Sequence, residues 1–366
     1  MNNIKLFDKN SNLNLIVKTP GISCNINCDY CFEKCKNATK KFLSPDVLEN
    51  IIERVPCQCS LVFHGGEPLI IGIERFKALL NVVQRYYPQK VTSVKVQTNG
   101  TLLNNGWINL LFKEYSKLKI EIAISLDGTF EMNSLRVDNN NNPTYQSVIN
   151  AFYLLNKNGV SAGMLSVISK RSLTYPEEYV KLLSQIENLR FVKINGLFNI
   201  ENNELTRDSI LPSEYSKFII EVANFYIKNG LYKKFPIEPI LSILQKINNK
   251  SSRYCNYSKR KCFNFISVYP DGTLAPCDCL SVNEFMINSS SEKLVDCIEA
   301  TINSPNGQNL TKITDYCEKC DIYNFCTGGC LSQRYYFRNN SFLSKDFCES
   351  KHILYNNFMN LKRMYN

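Results

Sequence analysis

The chain has 366 residues, 44% of them hydrophobic, sixteen cysteines and a formal charge of +10, enough length to bury a full core and carry one large domain with a smaller companion. No apolar run approaches the ~18 residues of a membrane span, and residues 1–12 are polar without a signal-peptide core, so no membrane association and a cytoplasmic location are expected. The positive charge is not gathered into basic runs interleaved with aromatics, as single-strand binding requires; it reads as lysine on solvated faces, and no nucleic-acid partner is expected.

From residue 13 to about residue 199, strand-like and helix-like segments alternate, the pattern of βα units around a parallel sheet. Strands are expected at 13–18, 60–63, 94–98, 121–125, 162–168 and 190–195. Helices are expected at 44–55, where Ser44 is a good N-cap followed by Pro45, and at 73–87, 107–118, 145–157 and 176–186. The fold class expected is α/β: six units forming a partial (β/α)6 TIM-like barrel, with a doubly wound open sheet as the alternative. Either places the loops after the strands on one face.

The asparagine-rich run 138–142 before Pro143 reads as a mobile loop or a lid. A polar linker follows at 201–208, then helices at 212–229 and 237–248. After residue 250 periodicity fades and cysteines dominate, with a hairpin at 265–269 and 273–275 around Pro270-Asp271-Gly272; such a segment needs metal to order it. The expected organisation is a core at 1–200, a helical linker at 201–254, a cysteine-rich domain at 255–348 and a C-terminal helix at 349–366.

Sixteen cysteines in a reducing compartment point to metal rather than disulfides. Cys24, Cys28 and Cys31 form CxxxCxxC, which offers an iron-sulfur cube three thiolates and leaves its fourth iron open to a ligand. Cys35 lies close enough to be a fourth ligand, and a triplet alone also suits zinc. Three motifs follow, each closing a strand-like run: His64-Gly65-Gly66-Glu67-Pro68, Gln97-Thr98-Asn99-Gly100 and Ser125-Leu126-Asp127-Gly128. Near the C-terminus come Cys255, Cys262 and Cys277, then Cys317-x2-Cys320-x5-Cys326-x3-Cys330, and finally Cys348. Eight thiolates suffice for two fully coordinated 4Fe-4S cubes, and CxxC pairs serve zinc knuckles equally well. Cys35, Cys57, Cys59, Cys279 and Cys297 fall outside this scheme; Cys35 and Cys279 neighbour proposed ligands.

In this order the motifs resemble the radical S-adenosylmethionine (SAM) enzymes, and the later cysteines resemble, at every spacing, the SPASM extension found in peptide maturases and anaerobic sulfatase-maturating enzymes. The resemblance implies three 4Fe-4S clusters. The first, on Cys24, Cys28 and Cys31, binds SAM and reduces it to a 5'-deoxyadenosyl radical that takes a hydrogen atom from substrate. Two auxiliary clusters are implied on Cys255, Cys262, Cys277 and Cys330, and on Cys317, Cys320, Cys326 and Cys348. The implied SAM contacts are Tyr30 against the adenine, Gly65 and Gly66 beside the methionine amine, Glu67 fixing that loop, Asn99, Ser125 at the ribose or carboxylate, Arg136 on the carboxylate and Leu197 at the adenine.

Relatives with this architecture act on a peptide or protein, which is the partner expected, alongside a flavodoxin or ferredoxin-type electron donor. Asp278 matches the proton-accepting aspartate of sulfatase maturases, whereas His64, where glutamine usually stands, looks more like maturases that crosslink short peptides. The sequence therefore favours crosslinking of a ribosomally made peptide, with Asp278 and His64 as candidate catalytic residues. Oxidation of Ser or Cys to formylglycine is the alternative, and a non-catalytic iron-sulfur or zinc scaffold a third. Only about twelve residues precede the first strand, so a peptide is expected to dock on the barrel or SPASM surface.

Overall fold

The computed structural model describes residues 12–36, 39–258, 262–288 and 293–365; the side chain of Cys35, a candidate ligand, lies outside the described residues. Strand β1 (Asn12–Lys18) alternates half-buried Asn12, Asn14 and Ile16 with fully buried Leu13, Leu15 and Val17, the pattern of a strand whose inner face lies on a core. It is followed by β2 (Gln58–His64), β3 (Val91–Thr98), β4 (Glu121–Ser125), β5 (Ala162–Ile168) and β6 (Leu189–Gly196). Each pairs in parallel with the next in chain order. Parallel neighbours need crossovers, supplied mainly by helices Pro45–Arg54, Ile73–Tyr86, Tyr145–Lys157 and Pro176–Gln185. Ser44 Oγ accepts from Val47 N at 3.3 Å and Pro45 opens the first of them, as the cap chemistry predicts.

β1 and β6 do not pair, so the sheet stays open and each edge takes another strand. A two-rung antiparallel ladder, β7 (Ile200–Glu201) with β8 (Glu204–Leu205), occupies the polar stretch expected as linker. β9 (Ile237–Glu238) then pairs with β6, so the helix expected from 237 starts later, at Ile240–Ile247. β10 (Phe265–Val268) lies parallel to β1, and β11 (Leu274–Ala275) closes the hairpin. The hairpin of the cysteine-rich region thus continues the core sheet.

Two further expectations are corrected. The single helix expected at 107–118 is a short turn, Asn105–Ile108, running into a π-helical segment, Asn109–Glu114, and a 3₁₀ turn, Ser116–Leu118. Helix Ser341–Tyr365 is continuous through residue 348, so Cys348 sits inside it. It packs on helices Pro212–Lys228 and Ile240–Ile247, and Asp346 Oδ2 accepts from Ser213 N at 2.9 Å.

Candidate active site

All six β1–β6 strands point the same way, so the loops carrying the sequence motifs gather at their carboxyl ends, the rim where open and closed α/β folds bind ligands. Cys24, Cys28 and Cys31 lie on the loop after β1, which neighbouring loops fasten from several sides. Asn27 N donates to Val137 O at 2.7 Å and Asp29 N to Leu135 O at 3.0 Å. Gly66 N donates to Gly21 O at 3.0 Å and Glu67 N to Ser23 O at 2.9 Å. Asn99 Nδ2 donates to Asn25 Oδ1 at 2.9 Å and lies 3.7 Å from Cys24 Sγ.

The glycines before Glu67 have a packing reason that the sequence reading missed. A Cβ on Gly66 would meet Ser23 O at 1.9 Å, and one on Gly65, whose φ is +116°, would meet Gly21 O at 2.7 Å. Glycine is required here so that this loop can press on the cysteine loop, not only to leave room for a ligand. Glu67 is fully buried and ties the next loop in: its Oε1 accepts from Leu69 N at 3.0 Å and Thr98 Oγ1 at 2.7 Å, its Oε2 from Asn99 N at 2.7 Å.

The run 138–142 forms a hydrogen-bonded turn. Asp138 Oδ1 accepts from Asn140 N and Asn142 N, each at 2.8 Å, an Asx arrangement that side-chain capping favours. Bridges Ile26–Asp138 and Val137–Pro143 pin it beside the cysteines.

Burial is the main cause that pushes the Cys24 thiol up to about 12, with Glu67, Cys28 and Cys31 adding to it. Burial also raises Cys28, against the pull of Arg136. Two thiols that resist ionising alone, gathered with Cys31, are ligands for a cation, which would deprotonate a coordinating thiol outright. This donor set fits an iron-sulfur cluster.

Beside them, Tyr30 hydroxyl donates to Asp127 Oδ2 at 2.5 Å and accepts from Arg136 Nη1 at 2.8 Å; Asn199 Nδ2 donates to Tyr30 O at 2.9 Å. Burial raises the Asp127 carboxyl, with Arg136 opposing. Arg136 therefore already has an internal partner, while its buried Nε has none among the described residues. Ser125, half-buried at the end of β4, takes no side-chain partner among the described residues. Leu197 is buried, and both its backbone groups are engaged: N donates to Ile168 O at 2.8 Å, and O accepts from Ile210 N at 3.0 Å.

His64 and Asp278 are brought together with three residues the sequence reading passed over. Lys18 and His64 face each other in the β1–β2 register, and Lys18 Nζ lies 3.4 Å from His64 Nδ1. The same buried ammonium bridges Glu33 and Asp278. Lys36 Nζ repeats the pairing, 3.0 Å from Glu33 Oε1 and 3.1 Å from Asp278 Oδ1. Burial works to raise the Asp278 carboxyl, but Lys18, Lys36 and His64 outweigh it and hold it well below the ordinary carboxylate range. Burial first, then Lys18, lower His64 to about 4, so it is a neutral imidazole at pH 7. No sequence period marks a lysine at a strand end as buried; the preceding apolar alternation was the nearest signal.

Several of the later cysteines lie near one another. Cys277 N donates to Cys262 O at 3.1 Å, and the Cys277 thiol interacts with Cys262, Cys279 and Cys255. Cys330 and Cys255 both act on Tyr254. Cys317 is influenced by Cys326, Cys348 and Cys320. No disulfide forms among the described cysteines. Cys279 is exposed and adjoins the first group. Gathered thiols of this kind fit iron-sulfur ligation. Lys351 is buried beside Cys326, Cys330 and Cys348; burial lowers its ammonium, with those thiols opposing.

Residues 19–183 match the model of the Radical SAM superfamily. The chain is 28% identical over 363 residues to the cysteine-type anaerobic sulfatase-maturating enzyme of Clostridium novyi, spanning 92% of this chain and 93% of that enzyme. It is 25% identical over 330 residues to the serine-type anaerobic sulfatase-maturating enzyme of Klebsiella aerogenes, spanning 86% and 79%. Native anSMEcpe with bound AdoMet shares the fold with a TM-score of 0.81 at 23% identity, over 96% of this chain and 99% of that one. Streptococcus suis SuiB bound to S-adenosylmethionine shares it with a TM-score of 0.59 at 19% identity, over 87% and 71%. No described helix is long and apolar enough to cross a membrane.

Proposed function

Because the chain carries a radical SAM domain and is homologous to the anaerobic sulfatase-maturating enzymes, we propose that it oxidises a Cys or Ser side chain of a peptide or protein segment to formylglycine. The observation that carries this reading is the three-thiol loop at the carboxyl rim, fastened by the glycine-glycine-glutamate and Asn99 loops, in a chain alignable almost throughout with named maturases. That full-length relation favours formylglycine over the crosslinking the sequence motifs suggested.

Cys24, Cys28 and Cys31 would hold the SAM-binding cluster, with Ser125 and Arg136 toward the cofactor. Cys255, Cys262, Cys277 and Cys330 would hold one auxiliary cluster, and Cys317, Cys320, Cys326 and Cys348 the other. When bound, SAM and the first cluster supply reductive cleavage of the sulfonium and, with it, abstraction of a hydrogen atom from substrate carbon; a flavodoxin or ferredoxin-type protein would supply the electron. The chain's task is to hold the target C–H bond in place and keep water away. Asp278, kept ionised by Lys18 and Lys36, would accept the proton lost as that carbon is oxidised, and His64 positions Lys18.

The test is anaerobic incubation of reconstituted protein with SAM and dithionite, assaying 5'-deoxyadenosine. The wild type should release it, and the variant with Cys24, Cys28 and Cys31 changed to alanine should not; equal release from both rejects the reading.

A further inference from the structure

Arg334 is buried at 7% exposure on helix Leu331–Phe337, yet no described carboxylate lies within ion-pair distance of it; the charged pairs that form involve other residues. Three of its five N–H donors meet neutral or sulfur partners. Nε donates to Gly328 O at 2.6 Å, Nη1 to Tyr316 hydroxyl at 2.6 Å, and Nη2 to Cys348 Sγ at 3.5 Å. The Phe347 ring covers it at 4.7 Å. Cys317 and Cys326 are also among its electrostatic neighbours.

A buried cation without a counter-charge is costly, and arginine cannot escape by losing its proton. What faces it is thiol sulfur, Cys348 with Cys317 and Cys326. Asp321, beside Cys320, is exposed and paired with His352 at 3.1 Å.

We propose that Arg334 sets the reduction potential of the cluster bound by Cys317, Cys320, Cys326 and Cys348, raising it. This rests on the proposed assignment of those four cysteines. Adding an electron makes the iron-thiolate unit one charge more negative, so a fixed positive charge in a poorly screened site favours the reduced form. Hydrogen bonds to a ligand sulfur act in the same direction.

The test is an EPR-monitored redox titration of reconstituted holoenzyme, which needs no turnover. In Arg334→Gln, one couple should lose at least tenfold in its reduced-to-oxidised ratio at fixed potential, about 59 mV for one electron, while the others stay. Arg334→Lys, which keeps the charge, should restore most of the difference. Should Arg334→Gln shed iron, Tyr316→Glu decides: Tyr316 is exposed, and a carboxylate there cancels the charge at Nη1 without emptying the core. All couples unmoved in Arg334→Gln and Tyr316→Glu, or Arg334→Lys falling as far as Arg334→Gln, overturns the proposal. A wild type containing too little iron for this cluster instead removes the assignment beneath it, and iron analysis tells the two failures apart.

Discussion

Glu67 Oε2 accepts the backbone N–H of Asn99 at 2.7 Å in a fully buried contact, joining the loop after β2 to the loop after β3. Burial pushes the Glu67 carboxyl up to about 7 even against its three donors. Replacing it with alanine strands the Asn99, Leu69 and Thr98 donors, each unsatisfied buried group costing about 1–3 kcal/mol. Glu67→Ala should therefore lose about 3 kcal/mol or more of unfolding free energy and retain less iron after desalting. Urea denaturation with iron assay checks this; an unchanged midpoint would show that the loops do not depend on the contact.

Ser125 and Asn99 should separate ligand binding from loop support. The Ser125 hydroxyl has no partner among the described residues, so Ser125→Ala should leave the unfolding midpoint within about 0.5 kcal/mol and weaken SAM binding about tenfold, or 1.4 kcal/mol. Asn99→Ala removes the Asn25 and Thr101 contacts and should lower stability and iron retention together. Calorimetric titration with SAM beside denaturation distinguishes the two patterns.

His64 predicts an acid-side loss of stability. Its folded-state pKa, lowered to about 4 from 6.5 mainly by burial and Lys18, means that the unfolded chain binds more protons between those values. Stability is therefore complete above about pH 6.5 and declines as pH falls toward 4. Glu67, whose pKa is raised, contributes a slope of opposite sign in the same range, but it is common to wild type and His64→Gln. The difference between their urea midpoints from pH 7 to 4.5 isolates His64: the variant should lose less, and parallel curves would contradict this.

Lys36 predicts a pH limb. Lys18 and Lys36 hold the Asp278 carboxyl below its ordinary range, so the wild type should show no acid limb from this group near neutrality. Lys36→Met removes one cation and lets the pKa rise. Its rate of peptide oxidation should fall tenfold per pH unit below the new value, while the wild type stays flat. Superimposable profiles would exclude Asp278 as the proton acceptor.

Much of this arrangement is legible in the sequence where the signals are local. β4 at Glu121–Ser125, β5 at Ala162–Ile168 and helix Tyr145–Lys157 agree end to end with their periodicity. The parallel pairing of β10 with β1 joins Asn14 to Phe265, a separation no local pattern reports. The buried lysine pair escaped because charge suggests solvent, and Glu33 and Asp278 reverse that preference; the asparagines at 139–142 are exposed, as their content suggests, but held by local bonds to Asp138. Gly65 and Gly66 stand out in the sequence, but the carbonyls of Gly21 and Ser23 that demand them lie in another loop.

Mass spectrometry of a cysteine-containing sulfatase peptide, incubated anaerobically with reconstituted enzyme, SAM and reductant, tests the central claim most directly. The account predicts a loss of about 18 Da at the cysteine, sulfur leaving as the carbon becomes an aldehyde, and about 2 Da for the serine peptide. An unmodified peptide beside abundant 5'-deoxyadenosine, or a cysteine peptide that loses only about 2 Da with its sulfur retained, would contradict formylglycine formation.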